Sequence, residues 1–255
     1  MATVAQRPGV GAKGSLFFPM AAAMAFVLVA GFSMQLGMGR SSFGAPLFVH
    51  AHALLYFGWV AIFLTQSWLG TNGPVALHRR LGWLSMAWVA AMVVAGFVVI
   101  TWRVRDGQAP FFFKPQHFLI ANPMIVLLFA ALTIAAVANR RRRDWHARLH
   151  LCGMAVLTAP GFGRLLPMPL LMPYAYQIAA LVALVFPVWG MIADRRRLGR
   201  VHPAWWWGVG ATLAVLLLTE LIVYSPVGDA AYRLVTDGAP GSALGGLAFA
   251  PPPGP

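Results

Sequence analysis

Runs of roughly 20 mostly apolar residues follow one another along nearly the whole chain, each long enough to cross a hydrocarbon layer about 30 Å thick as a helix. Of the 255 residues, 60% are apolar and only 10% are charged, a profile that ordinary soluble domains do not share. The pattern predicts an all-α fold, a polytopic integral membrane helical bundle of about seven spans. The spans read as Leu16–Gln35, Phe48–Leu69, Leu81–Trp102, His117–Ala138, His150–Met172, Ala175–Ala193 and Trp205–Tyr224, with the fifth interrupted by Pro160, Gly161 and Gly163. The first has the look of a signal peptide, but its apolar stretch is long and no small-residue cleavage site follows, so it reads as an anchor. Residues 1–15 are polar and are expected to form a flexible cytoplasmic segment ahead of a bundle covering 16–224. Residues 225–255 are rich in Gly, Ala and Pro and are expected to be a flexible extracytoplasmic tail.

A formal charge of +13 invites a nucleic-acid reading, but the basic residues sit between the apolar runs and leave no soluble basic face. Their distribution fits membrane topology better. Counted over alternate loops, one set holds Arg7, Lys13, Arg79, Arg80, Arg140 to Arg143, Arg148, Arg195 to Arg197 and Arg200, thirteen of the nineteen Lys and Arg. The other set holds Arg40, Arg103, Arg105, Lys114, Arg164 and Arg233. The excess places the N-terminus in the cytoplasm and the C-terminus outside, on the periplasmic side if the membrane is a bacterial inner membrane. Arg far outnumbering Lys, with abundant Ala, Gly and Pro, points to a GC-rich bacterial source. A six-span alternative, with the broken fifth segment re-entrant, reverses the C-terminal end. Cys152 is alone, which removes any disulfide frame or Cys-based metal site.

Polar chemistry is scarce, and most of it is histidine. Spans two to five each carry one at or near their start: His52 (with His50), His78, His117, and His150 (with His146). Under the topology above, His52 and His117 fall near the outer face, and His78, His146 and His150 near the inner one. A bundle core offering imidazoles from neighbouring helices is a common way to hold haem iron. A lone histidine at a membrane interface is otherwise unremarkable; the set carries the reading. His50 and His52 lie on nearly opposite helix faces. Gln66 stands fourteen residues after His52, close to whole turns of the same helix, so His52 is the inward candidate and His50 the interface residue. Arg164 lies roughly 21 Å along the helix from His150 and could meet a haem propionate or pair with Glu220. The helical face of His117 carries Ala121, Met124 and Leu128 and gives it no polar support. Arg79 could pair with a propionate beside an inner haem, although it and Arg80 also serve topology. Arg140 to Arg143 read as topological, Trp205–Trp207 and Phe111–Phe113 as interfacial anchors, and His202 as solvent-facing.

Two stretches carry a resemblance. The run His52 to Gln66 with Leu77-His78-Arg79-Arg80-Leu81-Gly82 resembles uncharacterised bacterial multi-span membrane proteins with an LHRxLG signature. His146-Ala147-Arg148-Leu149, followed by Arg164, is similar to the HxRLM…R element of that group, with His150 standing where methionine is usual. That resemblance makes His146, rather than His150, the inner candidate. The four-histidine layout also resembles di-haem transmembrane b-type cytochromes of the ascorbate and ferric-reductase type, which implies a four-helix core from spans two to five. It further implies one or two haem b groups and electron transfer from a quinol or to a periplasmic redox partner.

The leading expectation is therefore a membrane-bound haem-b protein carrying electrons within or across the bilayer through bis-histidine ligation. A transporter built around Glu220, Arg164, Gln66 and the broken fifth span is a second class. A non-catalytic subunit or assembly factor of a larger membrane complex is a third. A retinal protein is excluded because Lys13 and Lys114 both lie outside the spans. A hydrolase is disfavoured because no span places a nucleophile beside a base and an orienting acid.

Overall fold

The computed structural model describes residues 16–41 and 43–252, so the segment 1–15 lies outside the described part. The described chain is helical, with no strand: α1 (Phe17–Gly37), α2 (Leu47–Asn72), α3 (Val75–Arg105), α4 (Pro115–Ala138), α5 (Arg143–Leu157), α6 (Ala159–Leu165), α7 (Ala175–Val182), α8 (Val185–Leu198), α9 (Pro203–Val223) and α10 (Pro226–Thr236). Six stretches are long and apolar enough to cross a membrane: α1, α2, α3, α4, the run Ala175–Leu198 that contains α7 and α8, and α9.

Proline sets several boundaries. Pro115 and Pro203 occupy the first turn of α4 and α9, where their missing N–H costs nothing. Pro160 cannot donate to the carbonyl of Val156, and the fifth segment breaks at Thr158 into α5 and α6. Pro187 likewise cannot donate to Ala183, where α7 gives way to α8. α8 ends on Gly199 at φ 71°, the left-handed cap that glycine adopts most readily.

The fifth segment is the most enclosed. Leu149 and every residue from Leu151 to Leu157 are buried, as expected of a helix surrounded on all sides. Around it pack α1, α4, α8 and α9. The expected four-helix core of spans two to five is in fact a ring of five, because α1 inserts between α2 and α5–α6. Its face Met20, Ala21, Met24, Ala25 and Leu28 is buried there. α1 and α5–α6 run in the same direction: the Arg148 guanidinium lies over the Phe17 ring, Gly31 abuts Gly161, and Gln35 donates to the Arg164 carbonyl.

That close approach is the small-residue packing common between membrane helices. A Cβ on Gly31 would sit 2.5 Å from the Gly161 carbonyl oxygen, whereas one on Gly37 meets nothing within 4 Å. Gly31→Ala is accordingly expected to destabilise the bundle by about 1–3 kcal/mol and Gly37→Ala to be near neutral. Thermal unfolding in detergent compares the two; equal midpoints would contradict the packing.

Over its described residues, 225–252, the C-terminal tail is not the flexible segment its composition suggests. Ser225 caps α10 by accepting from the Gly228 N–H, and Asp229 pairs with Arg233 one turn on at 2.6 Å. The buried Tyr232 hydroxyl donates to the Gly241 carbonyl, the Gln116 N–H donates to Gly246, and Arg105 donates to Val235. These bonds fasten the tail across the end of α3 and the start of α4, giving backbone groups that would otherwise need water a fixed partner.

Candidate functional site

Helix polarity gathers the N-terminal ends of α3 and α5 at one end of the bundle, where Arg79, Arg80 and Arg140 to Arg143 also lie. There the rings of His78 (α3) and His146 (α5) stand 6.2 Å apart between centroids at 84°, and His146 meets His150 edge-on at 4.7 Å. Two imidazoles binding one ion from opposite sides, each at about 2 Å, hold their ring centres roughly 6 Å apart, a spacing that edge-to-face ring packing also gives. His146 Nδ1 lies 2.8 Å from the Ala136 carbonyl oxygen. A carbonyl only accepts, so Nδ1 carries the proton and, in the neutral ring, Nε2 keeps its lone pair for a ligand. His78 is held through its backbone, whose carbonyl accepts from Gln66 Nε2 at 3.1 Å, while its own Nδ1 is buried without a partner. α2 is bare beside it: a Cβ added at Gly70 would touch His78 Cε1 at 3.7 Å.

One face of α2 carries a longer pattern. Buried atoms without a hydrogen-bond partner are His52 Nδ1, Trp59 Nε1 and Gln66 Oε1, spaced seven residues apart and so on one side of the helix. His78 Nδ1 on α3 and Thr133 Oγ1 on α4 are likewise buried without a partner, the first toward Gly70 and the second toward Gly153. Each such atom costs about 1–3 kcal/mol unless something satisfies it.

At the other end the expected pairing does not form. His52 stacks on Tyr56 at 4.2 Å. The Arg164 guanidinium lies 3.7 Å over the Phe32 ring. His117 turns instead toward α7 and α9. Its Nε2 donates to Glu220 at 2.8 Å, Gln177 Nε2 donates to the same oxygen at 2.8 Å, and the Tyr176 ring lies at 4.8 Å. The polar support that its own helix lacks comes from α9. Glu220 is thereby engaged, and the alternative Arg164–Glu220 pair is not made.

Other residues also depart from expectation. Arg79 and Arg80 are exposed, so neither reaches into the bundle beside His78. Arg148, counted above as a loop charge, is buried in a bidentate pair with Asp194 (2.8 and 2.7 Å), and Trp205 Nε1 donates to the same carboxylate at 2.8 Å. His202 is not solvent-facing: it caps α9 and donates to Asp144 at 2.8 Å with its side chain 14% exposed. Among the described residues no group of three or more His, Cys, Asp or Glu is drawn together to hold a metal ion. Two pockets open elsewhere, one beside Cys152 and Thr212 and one beside His117.

No known protein family matches the chain, and neither a curated protein nor a solved structure is similar to it.

Proposed function

We propose that this chain is a membrane cytochrome of the haem-b type, holding one haem between His78 and His146 and carrying electrons at the basic end of the bundle. The single observation behind this reading is the 6.2 Å approach of two imidazoles from facing helices, one with its ligand nitrogen kept free by the Ala136 carbonyl. A two-imidazole set suits a cofactor that brings its own equatorial donors better than a bare ion, which would want further protein ligands. The orphaned His78 Nδ1 and Gln66 Oε1 beside the pair are consistent with an occupant. His52 has no second imidazole opposite it, which favours one haem over two.

Haem bound there supplies a one-electron couple. The chain's own residues would orient it. Ala136 fixes the tautomer and tilt of His146, Gln66 ties α2 to the start of α3, and His150 stands edge-on against His146. The parallel course of α5–α6 and α1 supports seven crossings rather than six, and the basic end then lies on the cytoplasmic side of a bacterial inner membrane.

Optical spectroscopy tests the reading. Protein purified after expression with haem precursor is expected to show sharp reduced alpha and beta bands, with about one haem per chain by pyridine haemochrome. Colourless, folded protein would overturn it.

A further inference from the structure

The α10 helix has three kinds of face. At about 100° per residue, Gly228, Tyr232 and Thr236 share one side, and all three are buried where α10 meets α3, α4 and α9. Asp229 and Arg233 form the next side, paired with each other, with side chains 51% and 73% exposed. Val227, Ala230 and Leu234 form the third, and all are exposed. Val227 and Leu234 stand seven residues apart, hence on one line of the helix, and are 67% and 79% exposed. A helix on the surface of a soluble protein divides into a core face and a wet face. A separate apolar face, uncovered and set beside the charges, needs a third environment.

The position of α10 supplies it. α9 is long and apolar enough to cross a membrane and ends at Val223, and only Tyr224 and Ser225 separate it from α10. The exposed row Leu213, Leu217 and Leu221 of α9 leads to Tyr224, which is 54% exposed at the turn and of the type that anchors a span end at the interface. α10 thus starts at the membrane surface, and the bonds from Arg105 to Val235 and from Tyr232 to the tail carbonyls hold it across the bundle end.

We infer that α10 lies in the headgroup–acyl boundary of the leaflet at the C-terminal end of α9. Val227, Ala230 and Leu234 enter the acyl chains, Asp229 and Arg233 meet water, and Tyr232 faces the bundle. The partner is the apolar layer of the lipid surface and not an anionic headgroup, because the charged side carries one charge of each sign. The tail then fixes the depth at which the ends of α3, α4 and α9 sit. The inference rests on the chain crossing a membrane and is independent of haem.

Spin labels on the full chain in lipid nanodiscs test this, with the buried Cys152 replaced by alanine and single cysteines placed as Val227→Cys, Leu234→Cys, Asp229→Cys and Arg233→Cys. Oxygen concentrates among acyl chains, and a water-soluble nickel chelate stays outside them. The ratio of oxygen to nickel accessibility is expected to be at least about fivefold higher at 227 and 234 than at 229 and 233, for a face buried roughly 5–10 Å into the boundary. Equal ratios at the four positions would place α10 in water and overturn the inference. Exclusion of both reagents from 227 and 234 would overturn it equally, by showing a protein surface over that face.

Discussion

Asp194→Ala is expected to be the most damaging single substitution away from the imidazoles. The Asp194 carboxylate accepts two bonds from Arg148 and one from Trp205, in a pair whose side chains are only 9% and 10% exposed. Removing it strands a guanidinium among the apolar residues of α5, and breaking a buried pair on one side costs about 3–5 kcal/mol. It also unties α8 and α9 from α5, since Trp205 loses its acceptor. For a chain of this size the loss corresponds to a fall of roughly 10 °C in unfolding midpoint. Replacing both charges, Arg148→Met with Asp194→Leu, should recover much of it, because an apolar pair of similar volume avoids the desolvation cost altogether. Thermal unfolding of both singles and the double closes a cycle. A single variant that melts with the wild type, or a double no better than its worse parent, would show that the pair contributes little.

Much of the architecture is legible in the sequence because it depends on local pattern. Apolar run length marks where α1, α2, α3, α4 and α9 lie, and helix polarity alone brings His78 and His146 to the same end. Prolines 160 and 187 carry the breaks in the fifth and sixth segments, although only the first stands out in a run already flanked by glycines. Side-chain pairing is another matter. Arg148 meets Asp194 across 46 residues, and His117 meets Glu220 across 103. Neither partner lies on the helical face from which the other would be judged, so periodicity says nothing about them. The signal that was available is scarcity: with six acidic residues in the chain, Asp194 and Glu220, lying in or beside apolar runs, have few reasons to be there other than a buried cation or imidazole. The tail misled through composition, since Gly and Pro read as flexibility while Ser225-Pro226, Asp229 and Arg233 spell a capped helix.

On the proposed haem reading, His78→Ala and His146→Ala should each reduce haem content to about a tenth or less of wild type while leaving a folded chain, because the helices are held by packing and not by the imidazoles. His146 is the more informative of the two. With Nδ1 bonded to the Ala136 carbonyl, only Nε2 is free to ligate, so His146→Gln, which keeps polarity without the imidazole, should fail as badly as alanine. Added imidazole should partly restore the bands in His146→Gly, where the vacated space admits a free ring. His150→Ala, which removes only an edge-on neighbour 4.7 Å from His146, should keep the haem and shift its midpoint potential. His117→Ala should leave haem content unchanged, because that ring belongs to Glu220 and Gln177 at the other end of the bundle. Full haem in both His78→Ala and His146→Ala, or its loss in His117→Ala, would move the iron away from the basic end and require another ligand set.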